Sequence, residues 1–194
     1  DYRSTTRDVR AIIDGFKKDG VDAIVMDLST NGGGSLTEAI DLTGLFIDQG
    51  TVVQVKNPDG EVSQYDDRNS GTAWDGPLVV VCSKFSASAS EIFAAAVRDH
   101  KRGRIVGQRS YGKGSVQGIF PLTSSKAGVR LTTAKFYSPN GKAISKQGVT
   151  TDVVVHNVAK LTYAEIKMLD EQKDASLRAG LQIARQHISR AQPE

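Results

Sequence analysis

The chain has 194 residues, and its hydrophobic (39%) and charged (24%) fractions are those of a globular domain that buries a core, which excludes a largely disordered chain. No apolar run approaches the roughly 18 residues that a membrane-spanning helix needs. The formal net charge is only +3, and the basic residues are scattered along the chain, which argues against nucleic acid as a partner.

The first part of the chain alternates helical and strand patterns. Apolar residues recur at helical spacing before Gly20, and the apolar run that follows is typical of a buried strand. A Pro-Asp-Gly turn between two strand-like segments indicates a hairpin. The predicted elements are a helix over 5–18, a strand over 22–28, a helix over 36–47, a hairpin over 51–56 and 61–65, a polar loop over 66–76, and a strand over 78–82.

The rest of the chain continues this alternation. The predicted elements are a helix over 89–100, a strand over 104–107, an antiparallel pair over 116–122 and 129–137, and a polar helical segment over 162–190. Within the last segment, residues at helical spacing predict a packing stripe: Leu177, Leu181, Ala184 and Ile188. Alternating strands and helices predict an α/β core with helices packed against a sheet.

Three glycine-rich or serine-rich turns follow predicted strands, and the first is Asn31-Gly-Gly-Gly34. Successive glycines allow backbone N–H groups to surround one space at a helix N-terminus, which suits an anion. A plain strand-to-helix turn fits the spacing equally well. The full dinucleotide-binding glycine pattern is missing, so the signal for a nucleotide cofactor is weak.

The second turn, Phe85-Ser-Ala-Ser-Ala-Ser-Glu91, also joins a strand to a helix. Ser88 and Glu91 have the spacing of a capping box, and a structural cap is the commoner role of such a serine. A serine at this corner would also have its hydroxyl at the positive end of the helix, beside the N–H of Ala89, where an oxyanion could be bound. The turn therefore fits either a cap or a nucleophile.

The third turn, residues 107–114, resembles a phosphate-binding P-loop through Lys113 but has Gly114 where that motif has a hydroxyl. The residues after it predict a strand, whereas a P-loop leads into a helix, so nucleotide binding is disfavoured. Lys113 lies between two glycines, where a lysine does little to stabilise a helix or a strand. Lys113 is therefore a candidate for chemistry.

Metal ligands and disulfide partners are scarce. The single cysteine, Cys82, excludes an internal disulfide and a thiolate cluster, and its apolar surroundings predict a buried small hydrophobe. The three histidines, His100, His156 and His187, lie outside the glycine-rich turns, so no metal site is indicated. A Ser-His-Asp triad with His100 or His156 stays open, as does a lysine base, which must be desolvated to be neutral.

Four motifs, in order, resemble those of the carboxyl-terminal processing peptidases, which are serine proteases with a Ser-Lys dyad, and most closely those of their tail-specific branch. The motifs are DLSTNGGG over Asp27–Gly34, SASASE over Ser86–Glu91, GKGSVQ over Gly112–Gln117, and FYSPNG over Phe136–Gly141 with GVTTD over Gly148–Asp152. Each motif alone is modest, but four in the family's order are specific. The resemblance covers most of the chain, from Ser4 to about Asp152.

The resemblance implies a catalytic dyad. Ser88 matches the family's nucleophile and Lys113 its general base, at the separation that the family shows. Gln117 matches the glutamine that orients the lysine. Together these residues imply that a neutral lysine, rather than a histidine, takes the proton from the serine.

The resemblance also implies the supporting groups of the site. Asp99 matches an aspartate that is important in the tail-specific branch. The backbone N–H groups of Gly33 and Ala89 match the oxyanion hole, although Gly32 or Gly34 could replace Gly33.

The implied fold is α/β, with the spiral ββα core of the Clp protease and crotonase type and a C-terminal helical segment. We expect a catalytic core over 1–160, truncated at its N-terminus, and a helical segment over 161–194.

Ser29 stands where the family often has arginine, which puts a supporting contact in doubt but not the oxyanion hole. Family members carry a PDZ domain before the core, for which this chain has no room, so we expect a piece of a longer, exported protein. The family implies the periplasm of a Gram-negative bacterium, with association at the inner-membrane surface as an option.

The implied function is that of a serine endopeptidase that cleaves polypeptides at or near their C-termini through an acyl-enzyme, with no metal, nucleotide or organic cofactor. The expected partners are polypeptides bound by their C-terminal region, and an adaptor protein and the oligomeric state stay open. Two alternatives remain. An inactive peptide-binding module would keep the grooves without an assembled dyad, and a crotonase-like acyl-CoA enzyme would share the fold and the oxyanion hole.

Overall fold

The computed structural model describes residues 5–67, 69–123, 127–155 and 175–191. The elements in chain order are α1 (Thr5–Lys18), β1 (Ile24–Asp27), α2 (Leu36–Thr43), β2 (Gly50–Lys56), β3 (Val62–Asp67), β4 (Leu78–Cys82), α3 (Ala89–Asp99), β5 (Arg104–Gly107), β6 (Ser115–Pro121), β7 (Gly128–Tyr137), β8 (Val153–Val154) and α4 (Ala175–Ala191). Among these helices, none is both long and apolar enough to cross a membrane.

A parallel sheet of four strands, in the order β1-β4-β5-β8, forms the centre of the fold. The apolar strand β4 is buried along its whole length, as a strand covered on both faces must be. Cys82 at its end is fully buried, as predicted, and this burial raises the pKa of its thiol to about 12. A parallel sheet with helices packed against it confirms the predicted α/β class.

Helices cover both faces of the parallel sheet because successive side chains of a strand point to opposite faces. Val80 of β4 belongs to the same core cluster as Phe93 of α3. Val79 belongs instead to a second cluster with Ala184 of α4. A Cβ at Gly180 would lie 3.1 Å from a methyl group of β4, so this glycine lets α4 approach the sheet closely.

A second sheet, antiparallel and in the order β3-β2-β7-β6, lies beside the first and shares the larger core cluster through β2 and β7. The hairpin β2–β3 and the pair β6–β7 were both predicted. A register shift between Val116 and Gln117 marks a bulge in β6, close to its start. Such a bulge changes the direction in which neighbouring side chains project.

The predicted helix over 36–47 is shorter in the structure. Helix α2 ends at Thr43, and Gly44 forms its C-cap. Leu45 and Phe46 are fully buried in the turn that follows, so the apolar residues that suggested more helix enter the core from a turn instead. Strand β3 likewise continues to Asp67, within the predicted polar loop.

The C-terminal helix was predicted, but the residues that face the sheet differ from the predicted stripe. Gly180 and Ala184 are buried, whereas Leu177, Leu181 and Ile188 are half-buried. The close approach at Gly180 explains this shift, because the smallest side chains bring α4 nearest to β4. The boundary expected at 160/161 and the first part of the helical segment lie outside the described residues.

Candidate active site

Ser88 lies at the N-terminal end of α3, in the turn that leaves β4. Its φ of +58° is in the left-handed region, which costs a non-glycine residue about 1–3 kcal/mol. The fully buried Ser86 braces the turn, because its hydroxyl donates to the Leu28 carbonyl at 2.7 Å and accepts the Ser83 N–H at 2.9 Å. A serine held in this conformation on a strand-to-helix turn is typical of a nucleophile.

The first glycine turn lies directly against Ser88. A Cβ at Gly33, where φ is +93°, would lie 2.7 Å from the Ala89 nitrogen and 2.8 Å from the Ser88 Cβ, so only glycine fits here. Asn31 fastens this turn to α3, because its Oδ1 accepts a hydrogen bond from the Ser90 hydroxyl at 2.8 Å. The structure therefore brings the first two predicted turns together.

The two predicted oxyanion donors differ in their availability. The Ala89 N–H belongs to the first turn of α3, where helix N–H groups have no partner within the helix, and no acceptor meets it in the described ranges. The Gly33 N–H instead donates to Asn31 Oδ1 at 2.9 Å. One donor is open in this conformation, and Asn31 occupies the other.

The lysine loop, residues 108–114, connects β5 to β6 and lies beside the turn of Ser88. The Tyr111 N–H donates to the carbonyl of Ser86 at 2.9 Å. The Lys113 side chain is exposed, and no hydrogen bond to the Ser88 hydroxyl is found in the part of the chain that the structure describes. The backbone of the loop is thus attached to the serine turn, whereas the two side chains of the expected dyad are not yet joined.

Glu91 links Ser88 to the lysine loop. Its side chain is fully buried, and Oε2 accepts hydrogen bonds from the N–H groups of Ser88 and Lys113, both at 2.8 Å. Oε1 accepts the Gly112 N–H at 2.6 Å and also the Ser110 hydroxyl. The glutamate half of the predicted capping box is therefore present, but the same carboxylate also binds the loop that carries the candidate base. The Glu91 N–H donates to the Ser88 carbonyl at 2.9 Å.

Two other predicted site residues lie further from the serine. Gln117 is exposed on β6, directly after the bulge. Asp99 is at the opposite end of α3 from Ser88, about 16 Å away at the helical rise per residue. Its Oδ2 accepts the Asn140 N–H at 3.0 Å, and its Oδ1 pairs with Arg98 at 3.1 Å. Asp99 therefore holds the turn after β7 against α3.

The two histidines that the structure describes lie apart from these turns. His100 caps the C-terminal end of α3, where its Nε2 is 2.7 Å from the Thr51 carbonyl oxygen. His187 is exposed on α4, on the other face of the parallel sheet, and His156 lies outside the described residues. No group of three or more metal-ligating side chains is found in the described ranges.

A cavity of about 310 Å³ adjoins Gly33 and Ala89. Its lining includes the apolar side chains of Leu28, Ala39, Leu42 and Phe93 and the polar residues Asn31, Ser35 and Ser90. Its rim includes Glu38, whose Oε2 accepts both the N–H and the hydroxyl of Thr6 at 2.9 Å. Because the Glu38 carboxylate is hydrogen-bonded to the N-terminus of α1, it is not available to bind a positively charged ligand. The cavity beside the candidate oxyanion hole therefore suits an apolar side chain.

Comparison with known proteins decides the family. Residues 1–155 match Peptidase family S41. The chain belongs to this family. The family predicted from the four sequence motifs is therefore confirmed.

Curated relatives of this S41 chain include proteases from several organisms. The tail-specific protease of Haemophilus influenzae is 41% identical over 159 residues, which are 78% of this chain and 23% of that protein. The carboxy-terminal-processing protease of Bartonella bacilliformis is 39% identical and covers 80% of this chain and 35% of its own length. The chain thus spans well under half the length of these relatives.

A solved structure of the photosystem II D1 C-terminal processing protease is similar in fold and sequence. It matches with a TM-score of 0.72 and 35% identity, over 78% of this chain and 39% of that one. This likeness supports the expected S41 core, in which helices pack against a parallel sheet.

The role of Glu91 in the S41 chain was missed by sequence reasoning, which assigned it only to a helix cap. The capping-box spacing was the available signal, but it reports the contact with Ser88 alone. The contacts with Gly112 and Lys113 join residues that are distant in sequence, so only the folded chain reveals them.

Proposed function

We propose that the chain is the catalytic core of a serine peptidase that cleaves polypeptides at or near their C-termini, with Ser88 as nucleophile and Lys113 as general base. The observation that carries this proposal is the link through Glu91, which joins the strained nucleophile turn to the backbone of Lys113. A helix cap alone would not require the strained serine or the loop contacts.

The chemistry would proceed through an acyl-enzyme. Neutral Lys113 Nζ takes the proton from the Ser88 hydroxyl, and Oγ attacks the carbonyl carbon of the scissile bond to form a tetrahedral oxyanion. The resulting ammonium gives its proton to the leaving amine as the C–N bond breaks. Water, activated by the same lysine, then hydrolyses the ester and restores Ser88.

The lysine must lose water before it can act as a base, because desolvation favours its neutral form. Lys113 is exposed in this chain. We infer that bound substrate covers it and brings Nζ within about 2.6–3.2 Å of the Ser88 hydroxyl. Gln117, on the strand that follows the lysine loop, would orient the amine by accepting one of its hydrogens.

The oxyanion would be held by the N–H groups of Ala89 and Gly33. The Gly33 N–H is bonded to Asn31 Oδ1 in the present conformation, so the asparagine side chain must turn away or the substrate oxygen must displace it. The Gly33 N–H would then donate to the carbonyl oxygen of the substrate instead of to Asn31 Oδ1. The number of hydrogen bonds made by this N–H stays the same, so the exchange costs little free energy.

The cavity beside Gly33 and Ala89 would take the side chain that precedes the scissile bond. Four apolar side chains line it, those of Leu28, Ala39, Leu42 and Phe93, so we expect apolar residues to be preferred there over charged ones. Asp99 would act by positioning, since its contacts hold the turn after β7 rather than the dyad.

The periplasm of a Gram-negative bacterium remains our proposal for the location.

A serine-directed fluorophosphonate probe tests the proposal on the natural full-length protein. Labelling should occur at Ser88, disappear in Ser88→Ala and fall strongly in Lys113→Met, while Lys18→Met, which replaces an exposed lysine at the C-terminal end of α1, labels normally. A folded protein that binds peptides but is not labelled would be the inactive module. A protein that binds acyl-CoA thioesters without labelling would belong to the crotonase-like alternative.

A further inference from the structure

A second cavity, of about 280 Å³, lies between α3, the lysine loop and the segment that follows β7. Three cations line it, one from each of these parts: Arg98, Arg109 and Lys142. No carboxylate is among the residues that line it. We call this cavity the basic pocket. It shares no lining residue with the cavity beside Ser88.

One of the three cations is already paired. Arg98 donates to Asp99 Oδ1 through Nε and Nη2, both at 3.1 Å, and to the Thr150 hydroxyl through Nη1 at 3.1 Å. Arg109 and Lys142 are exposed, and their side chains have no ion pair or hydrogen bond with any residue that the structure describes. Two positive charges in the basic pocket are therefore without a counter-charge.

The remaining donors of the basic pocket are side chains. Ser138 is 1% exposed, accepts the Lys142 N–H at 3.3 Å, and donates its own proton to no acceptor in the described ranges. Backbone N–H groups in the wall of the basic pocket already donate hydrogen bonds within the protein. The Gly148 N–H, for example, donates to the Ile144 carbonyl at 2.9 Å. A guanidinium, an ammonium and a hydroxyl can together bind the two oxygens of a carboxylate.

We propose that the basic pocket binds a carboxylate group of a polypeptide. Arg109 would donate two parallel hydrogen bonds to the two carboxylate oxygens, and Lys142 and Ser138 would donate one each. Arg98 remains with Asp99 and forms the rear wall. The carboxylate can come from an acidic side chain or from a chain terminus, which share this chemistry.

Calorimetric titration of the 194-residue chain at constant ionic strength tests the proposal. The probes are N-acetyl-Ala-Glu-Ala-amide, N-acetyl-Ala-Ala-Ala with a free C-terminus, the neutral N-acetyl-Ala-Gln-Ala-amide, and inorganic phosphate. We expect saturable one-site binding of at least one acidic peptide and none of the neutral one. The tighter acidic peptide identifies side chain or terminus as the source.

Variants locate the binding. Arg109→Gln and Lys142→Gln should each weaken it by about tenfold, as expected for the loss of a charge-assisted hydrogen bond. Arg130→Gln removes a matched exposed arginine on β7, outside the pocket, and should leave binding unchanged. Equal weakening in all three variants, the absence of saturable binding, or tighter binding of phosphate than of either acidic peptide would each overturn the proposal.

Amide hydrogen exchange supplies a second measurement that does not depend on the variants. Saturation with the acidic peptide should slow exchange in residues 108–114 and 138–150, because both segments contribute to the basic pocket. Residues 175–191 on the far face of the sheet should be unaffected. Slowing confined to segments outside the pocket would contradict the assignment, whatever the affinity. Peptidase activity enters neither experiment, so failure here is distinct from failure of the dyad.

Discussion

The two ends of α3 each hold a carboxylate that fastens a distant loop, but the partners of the two carboxylates differ. Glu91, in the first turn, binds backbone N–H groups and a hydroxyl, with no cation. Asp99, in the last turn, binds one N–H and needs the guanidinium of Arg98. The helix dipole explains the difference, because negative charge is favoured at the N-terminal end and disfavoured at the C-terminal end.

This contrast has a functional side. No cation pairs with Glu91 among the described residues, and the backbone N–H of Lys113, the base of the proposed dyad, is bonded to it. The C-terminal end is occupied by an ion pair that holds the turn after β7. We therefore expect chemistry to depend on the N-terminal end and mainly stability to depend on the C-terminal end.

The largest expected effect comes from the dyad at the N-terminal end. Ser88→Ala and Lys113→Ala should each lower kcat/KM of the full-length protein by about a thousandfold or more, because nucleophile and base act as a unit. Circular dichroism and thermal melting should show a folded protein, since loss of a serine cap costs only about 1 kcal/mol. Retained peptidase activity in folded Lys113→Ala would refute the dyad.

Next in size is the effect of Glu91→Ala. It leaves three half-buried N–H groups and one buried hydroxyl without their acceptor, and an unpaired buried group costs about 1–3 kcal/mol, so we expect a loss of several kcal/mol. Urea unfolding measures the loss. Glu91→Gln keeps one oxygen and should recover part of the stability. Equal stability of both variants and wild type would contradict the bridging role.

A smaller effect is expected at the other end of α3. Asp99→Asn retains an acceptor for the Asn140 N–H but loses the charge that pairs with Arg98, so we expect a loss of about 1–2 kcal/mol. Asp99→Ala should cost more, since the N–H is then unpaired. Probe labelling of Ser88 should be affected less than stability. Loss of labelling equal to that of Lys113→Met would show that Asp99 belongs to the chemistry.

The pH dependence compares the two ends directly, because His100 is at the C-terminal end and Lys113 adjoins the N-terminal end. A lysine base must lose its proton, so kcat/KM should rise with pH on the alkaline side of neutrality. Replacing His100, His156 and His187 together should leave this rise in place. Its disappearance in the triple variant, with the fold intact, would favour a histidine base.

The smallest effect is expected at Cys82, the last residue of β4. Because burial raises the pKa of this thiol to about 12, the thiolate is scarce at pH 8, and iodoacetamide should not modify the folded protein. The unfolded chain, with an ordinary thiol, should react. Rapid modification of the native protein at pH 8 would show that β4 is more accessible than the structure indicates.

Much of the fold followed from local patterns. The strand over Leu78–Cys82 and the helix after Ser88 are each determined by a continuous run of residues, so apolar periodicity predicts them closely. The predicted C-terminal end of α2 was too late in the sequence. Leu45 and Phe46 continue the helical spacing, but they are buried in the core from the turn that follows the helix. Periodicity reports that a residue is buried, not which backbone conformation buries it.

The family, the α/β class and the residues expected to act could be predicted before folding is considered, because motif order and hydrophobic spacing are properties of the linear chain. Tertiary structure alone decided that Glu91 joins the serine turn to the lysine loop, that Asn31 occupies the Gly33 N–H, and that the basic pocket has unpaired charges. The physical reason is that hydrogen bonds and charge pairs depend on distances between residues far apart in sequence. Those distances exist only after the chain has folded.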